Sequence, residues 1–262
     1  MFDFHLHSGL SHDSTADAAE MIAAAERLGL REICFTDHYD LTTDSPHIPA
    51  HIFTMEEYAK TYDHLSSDRL LLRRGLEFGL TEDSQARAEA LTAERHFDFI
   101  IGSVHAVYGV GPFNPLFWEG RSVKESFEAH LKHTLLCVEV NDEFDVLGHI
   151  NYVCKSPHNP TKEPLRYADY PELFDEIMKV IIAKGKGLEV NTSGVNSVGM
   201  FLPDAPYLRR YRELGGEIVT VGSDSHTAVR VGQHVDAALA MIGEIFGYVC
   251  TFADRKPIYH KL

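Results

Sequence analysis

At 262 residues, with 44% hydrophobic and 24% charged residues, the chain has the length and composition of one large folded domain with a sizeable core. Its net charge of -15, from 24 Lys and Arg against 39 Asp and Glu, argues against a nucleic-acid groove or an anionic membrane surface as partner, because both require clustered basic residues. No window approaches the ~18 apolar residues of a membrane-spanning helix, the N-terminus enters the first strand without a basic leader, and Cys34, Cys137, Cys154 and Cys250 form no C-x-x-C pair. Buried thiols in a reducing cytoplasm are expected.

The first element is a strand from Phe2 to His7, in which apolar and imidazole side chains alternate. Its period of two puts His5 and His7 on one face, about 7 Å apart, where a divalent ion fits between them. A buried strand has little other use for two such rings, since each needs a polar partner. A polar loop through His12 leads to a helix from about Ala16 to Leu28, capped by Ser14 or Thr15 and ended by Gly29. Ile33 to Thr36 reads as a second strand delivering Asp37-His38. The loop after it, with Pro46 and Pro49, is long enough to be a lid or binding loop.

Thr54 to Leu65 reads as a helix opened by Thr54 with Glu57 three residues on. A third strand runs from Leu70 to Gly79 and carries Glu77 at its end, an unusual place for a carboxylate. A helix over Asp83 to Arg95 precedes a fourth strand, Phe97 to His105. A Gly/Pro-rich loop holding Trp118 follows, then a helix from Ser122 to Cys137 and a short fifth strand, Val146 to His149. After a loop with Pro157, Pro160 and Pro164, a helix starts at Pro171 and runs to Lys184. Gly187 to Asn191 and Ile218 to His226 are the sixth and seventh strands, and a helix spans Gly232 to Phe246. Alternation of this kind predicts parallel strands with crossover helices.

Strand ends thus carry His5, His7, His38, Glu77, His105, His149, Asp224 and His226. A single histidine after a strand is ordinarily a hydrogen-bonded structural residue. In a parallel barrel, however, every strand's C-terminal end opens on one face, and recurrence at most of the strands points to a polynuclear metal centre. His47, His51, His64, His96, His130, His133, His158, His234 and His260 are read as structural or exposed, with His47 and His51 as lid candidates. Tyr108, Phe113, Phe117 and Trp118 are candidates to pack against a substrate, with ordinary loop packing the expectation.

The H-x-H pair with His12, then Thr36-Asp37-His38, Gly75-Leu76-Glu77, Gly102-Ser103-Val104-His105, Gly148-His149, Leu188 to Gly194 and Gly222-Ser223-Asp224-Ser225-His226 resemble the polymerase and histidinol phosphatase superfamily, and most closely its histidinol-phosphatase branch. The resemblance covers nearly the whole chain. It implies an α/β fold, a distorted seven-stranded barrel over residues 1–262 as a single domain, and three divalent ions at the strand ends. It also implies hydrolysis of L-histidinol phosphate to L-histidinol and phosphate in histidine biosynthesis. Position by position, it implies a first ion held by His5, His7, Glu77 and Asp224, a second by Glu77, His105 and His149, and a third by His12, His38 and His226. Nitrogen and oxygen ligands of this kind suit Zn, Fe or Mn.

A phosphomonoester resists attack because it is anionic; clustered divalent ions neutralise its oxygens and supply hydroxide at neutral pH. The expectation is therefore a hydroxide, bridging the ions that Glu77 and Asp224 hold, attacking phosphorus in line with the ester oxygen. Asp37, beside a ligand, is expected to orient an imidazole or act on a proton. Where the resemblance would have basic residues after Gly194, this chain has Val195-Asn196-Ser197. Arg230, Lys155 and Arg166 are candidate replacements for binding the small phosphorylated substrate, with Asn191 as a further contact. A related phosphoesterase acting on nucleotides or another small phosphate is the alternative. A nuclease is disfavoured by charge, and an amidohydrolase by the lack of a lysine at a strand end.

Overall fold

Each β-rich run becomes a strand of one sheet, and the stretches between them coil outside it. The structure, a computed structural model, describes residues 1–41 and 50–262. Pro46, His47 and Pro49 lie outside the described residues. The first half contains β1 (Phe2–Leu6), α1 (Ala18–Arg27), β2 (Glu32–Phe35), β3 (His38–Tyr39), α2 (Met55–Tyr62), β4 (Leu71–Gly79), α3 (Gln85–Glu94) and β5 (Phe99–Ser103). The second half adds α4 (Val123–Val140), β6 (Val146–Leu147), α5 (Pro171–Ala183), β7 (Gly187–Asn191), α6 (Gly194–Val198), α7 (Ala205–Glu213), β8 (Val219–Gly222), α8 (Val235–Phe246), β9 (Tyr248–Ala253) and β10 (Lys256–Lys261).

Local chemistry accounts for the helix starts. Thr54 and Ser122 open α2 and α4 with capping boxes, the hydroxyls accepting from the amides of Glu57 and Glu125 while those carboxylates reach back to the cap amides. The cap of α1 differs from expectation: the Asp17 carboxylate accepts from Ala19 and Glu20. Ser14 is used otherwise, its hydroxyl standing 3.1 Å from the carbonyls of both His7 and His226.

All pairings in the main sheet are parallel, in the order β1-β2-β4-β5-β6-β7-β8, with β3 alongside β4. Parallel neighbours need crossover connections, and the helices provide them. The ends of the order meet: His7 N donates to the Ser225 carbonyl at 2.9 Å, and Leu6 bridges Ser225. The seven main strands therefore nearly close into the expected distorted barrel, with their C-terminal ends on one face. Buried apolar side chains from β1 through β9 form one contiguous core.

α7 occupies a stretch read as connection, and it buries Tyr207, Leu208 and Tyr211. The tail forms an antiparallel hairpin of β9 and β10. Among the described residues, no helix is long and apolar enough to cross a membrane.

Candidate metal centre

Glu77 is the hub of the open face. It lies near the end of β4, fully buried, and five imidazoles surround it. His149 Nε2 and His105 Nε2 stand 2.7 and 3.1 Å from its Oε1, where Ser103 also donates at 2.7 Å. His38 Nδ1, His5 Nε2 and His7 Nε2 stand 3.0, 3.1 and 3.4 Å from its Oε2. The two oxygens thus face different sets of rings, as a bridging carboxylate would. Asp224 Oδ1 lies 3.3 Å from His7 Nε2 and 3.8 Å from His5 Nε2.

The residues present fit bound cations. Buried His5 Nε2, His7 Nε2, His38 Nδ1, His226 Nε2 and Glu77 Oε2 are satisfied by no hydrogen bond, and buried polar atoms ordinarily are. Donor atoms of His5, His7 and Asp224 lie within 4.8 Å of one another, as do those of His5, Glu77 and His149, of His38, Glu77 and His105, and of His7, His38 and His226. The opposite ring nitrogens are tied to the protein. His5 Nδ1 is 2.5 Å from Glu189, His7 Nδ1 3.0 Å from Ser11 Oγ, His105 Nδ1 2.9 Å from Asp40, and His226 Nδ1 3.0 Å from the Asp224 carbonyl. A carbonyl can only accept, so His226 carries its proton on Nδ1 and turns Nε2 toward the centre.

Electrostatics follow the packing. Burial disfavours charge on Glu77, yet His5, His38 and His105 hold its carboxyl well below the usual range. Burial likewise opposes charge on Asp224, and Lys155 and His5 bring its carboxyl well below normal. Burial would depress His105, but Asp40 and Glu77 raise it to about 10. His7 goes the other way, lowered by burial and by His226 and His38 beside it.

The sequence-predicted residues separate into three sets. His5, His7, His38, Glu77, His105, His149, Asp224 and His226 come together, with His38 between Glu77 and His226 rather than beside His226 alone. His12 lines the mouth of the same cleft, its ring stacked 3.3 Å from that of His51, outside every such donor group among the described residues. Burial, the largest influence, takes His12 down to about 4. Lys155 lines the cleft, its Nζ 2.7 Å from Ser193 Oγ and 3.0 Å from Asp224 Oδ2. Asn191 is fully buried beneath the cleft, accepting from Ser193. Arg166 borders a different cavity, with Tyr167 and Met200, and Arg230 is exposed on a short turn outside the cleft. Neither arginine is brought to the centre.

Asp37 is also fully buried and does not line the cleft. It accepts from Ser8 N at 2.7 Å, Ser11 N at 3.1 Å, Ser11 Oγ at 2.7 Å and the Tyr62 hydroxyl. Ser11 Oγ in turn lies 3.0 Å from His7 Nδ1, so Asp37 is linked to that imidazole through one hydroxyl. Burial raises its carboxyl pKa against these donors.

Several residues in the site were not anticipated. Asp40 stands between His38 and His105, and Asp13 Oδ2 is 3.1 Å from His226 Nε2. Glu189 is buried in β7, and Tyr152 stands on the cleft wall, where Phe113, already a candidate for packing against substrate, stacks on it at 5.3 Å. Asp40 could have been found as the i+2 neighbour of His38 on a strand, and Glu189 as a mid-strand carboxylate like Glu77. Trp118, by contrast, is buried in its loop with its indole donating to Pro112, as ordinary packing requires.

The PHP domain family model matches residues 3–193. A probable histidinol-phosphatase of Clostridium acetobutylicum is 32% identical, with 92% of each chain covered. The histidinol-phosphatase of Lactococcus lactis subsp. lactis is 28% identical over 97% of this chain and 95% of its own. The crystal structure of histidinol phosphate phosphatase from that organism, complexed with zinc, L-histidinol and phosphate, superposes with a TM-score of 0.89 at 27% identity, covering 98% of both chains. The chain belongs to the PHP domain family and, within it, to the histidinol-phosphatase-like phosphomonoesterases.

Proposed function

We propose that the chain hydrolyses L-histidinol phosphate to L-histidinol and phosphate as a cytoplasmic enzyme, within a single domain spanning residues 1–262, and that it uses three divalent ions of the Zn, Fe or Mn class. The observation that carries this reading is the set of buried imidazole nitrogens and carboxylate oxygens left without hydrogen bonds at the floor of a cleft of about 220 Å³. The likeness to the L. lactis enzyme supports the substrate.

His5, His7, Glu77 and Asp224 would hold one ion, Glu77, His105 and His149 a second, and His38, His226 and His12 a third. Ions bound there neutralise phosphoryl oxygens and deliver hydroxide at neutral pH. The chain's own residues do the rest. Glu77 and Asp224 keep their carboxylates ionised, and Asp37, through Ser11, sets the rotation of His7. Lys155 brings an ammonium to the rim, where it can meet a phosphate oxygen. Phe113 and Tyr152 offer an aromatic face to the organic part of the substrate.

Metal analysis of the purified protein, then phosphate release from histidinol phosphate beside nucleotides and sugar phosphates, tests the proposal. Bound transition metal and a preference for histidinol phosphate are expected. Release from nucleotides alone overturns the substrate. That second reading, another small phosphomonoester, is favoured by one observation: among the described residues lining the cleft, Lys155 is the only lysine or arginine.

A further inference from the structure

Glu189 lies in the middle of β7 between Leu188 and Val190, 1% exposed, and does not line the cleft. Both of its oxygens are engaged. Oε1 is 2.5 Å from His5 Nδ1, and Oε2 accepts the backbone N–H of His149 at 3.0 Å. Asn191 Nδ2 donates to Oε2 as well, at 3.4 Å.

The neighbouring strand leaves room for this carboxylate. A Cβ on Gly222, in β8, would come within 2.9 Å of Oε1. Glycine on that side makes a slot for the carboxylate between the strands. A buried carboxylate held there with two defined donors costs desolvation, and a residue that only filled space would not need the charge.

We propose that Glu189 is a positioning residue for the metal centre. By accepting from His5 Nδ1 it holds that ring in the tautomer whose Nε2 lone pair faces Glu77 and Asp224. By accepting from His149 N with its other oxygen, it sets a ligand from β1 and a ligand from the end of β6 against one group. A ligating imidazole must be neutral with one nitrogen bare, and a carboxylate on the other nitrogen fixes which one. The inference rests on the reading of His5 as a metal ligand.

The test is Glu189→Gln in the zinc-loaded protein. A glutamine can accept from His5 or from His149 N, and its amide nitrogen then opposes the remaining donor. Zinc affinity by chelator competition should fall about 10- to 100-fold for at least one equivalent, measured well below the unfolding temperature. A lower unfolding temperature with unaltered zinc affinity assigns Glu189 to folding alone and overturns the inference. Nitrogen-15 histidine NMR of the wild-type zinc-loaded protein gives a readout that needs no variant: His5 should carry its proton on Nδ1, and a proton on Nε2 overturns the inference. His5→Ala separates the two levels. If it loses zinc while Glu189→Gln does not, positioning fails; if it keeps all zinc at wild-type affinity, the ligand reading fails.

Discussion

Gly222→Ala is the sharpest small perturbation of this centre. The added methyl would sit 2.2 Å from His5 Cβ, 3.0 Å from His5 N and 2.9 Å from Glu189 Oε1. Two of these atoms are fixed to the β1 backbone and cannot swing aside. Regaining an ordinary 3.4 Å contact requires β1 and β8 to part by about 1.2 Å at His5. Overpacking without an escape route costs about 3 kcal/mol, which for a chain of this size lowers the unfolding temperature by about 6–12 °C. Because the displaced residue is His5 itself, a misplacement of ~1 Å is also expected to cost ~100-fold in turnover. Thermal unfolding of the chelated protein, zinc content, and phosphate release from histidinol phosphate measure the three effects. A Gly222→Ala protein with wild-type zinc content and turnover would refute the argument that β8 must lack a side chain here.

Lys155→Met keeps the apolar stem and removes the ammonium; losing a charged hydrogen bond of about 1.5–3 kcal/mol should lower kcat/KM for the phosphomonoester about 10- to 100-fold. The same change lifts a positive charge from Asp224, whose carboxyl Lys155 helps to depress against burial, so the acidic limb of the kcat/KM profile should move to higher pH. Asp37→Asn leaves the donors of Ser8, Ser11 and Tyr62 competing for one oxygen, and should lower stability by about 1.5–3 kcal/mol in urea unfolding; unchanged stability would count against Asp37 as the organiser of this loop. Buried His130 has its pKa lowered to about 3, by burial first and then by neighbouring His133, His149 and His105. A lowered folded-state pKa means stability that is full above the unfolded value of about 6.5 and is lost as pH falls toward 3, at about 1.4 kcal/mol per pH unit. His130→Leu should flatten that part of the stability curve in the chelated protein, and parallel wild-type and variant curves would exclude the effect.

The barrel and most of the centre could be read from residue order because both depend on strand periodicity. His5 and His7 are separated by one apolar residue, and Glu77 stands between Leu76 and Phe78 near the end of a strand. Such positions announce a polar cluster on a buried face. Asp40 escaped because β3 is two residues long, too short to display any period. Glu189 carried the same signal as Glu77 but sat inside a longer motif that already had a reading. The cations were hardest. Whether Lys155, Arg166 or Arg230 reaches the centre depends on loop paths, and those are set by contacts such as Ser156 Oγ to the Pro112 carbonyl at 2.5 Å, which no local pattern encodes. The tail from Tyr248 reads as an added strand without a place, for a related reason: its turn puts Asp254 and Arg255 at positive φ without the glycine or asparagine that marks such turns.

The seam between β1 and β8 also orders events in time. Asp3, buried on the first strand, accepts from Ser223 N and Gly232 N, each at 2.8 Å, and His7 N waits for the Ser225 carbonyl. A chain emerging from the ribosome therefore carries its H-x-H pair for more than two hundred residues before the groups that complete it exist. Closing a loop of that length is entropically slow, so assembly of the centre is expected to be the last act of folding. Until then Asp3, His5 and His7 remain open to water and to whatever cations the cell contains.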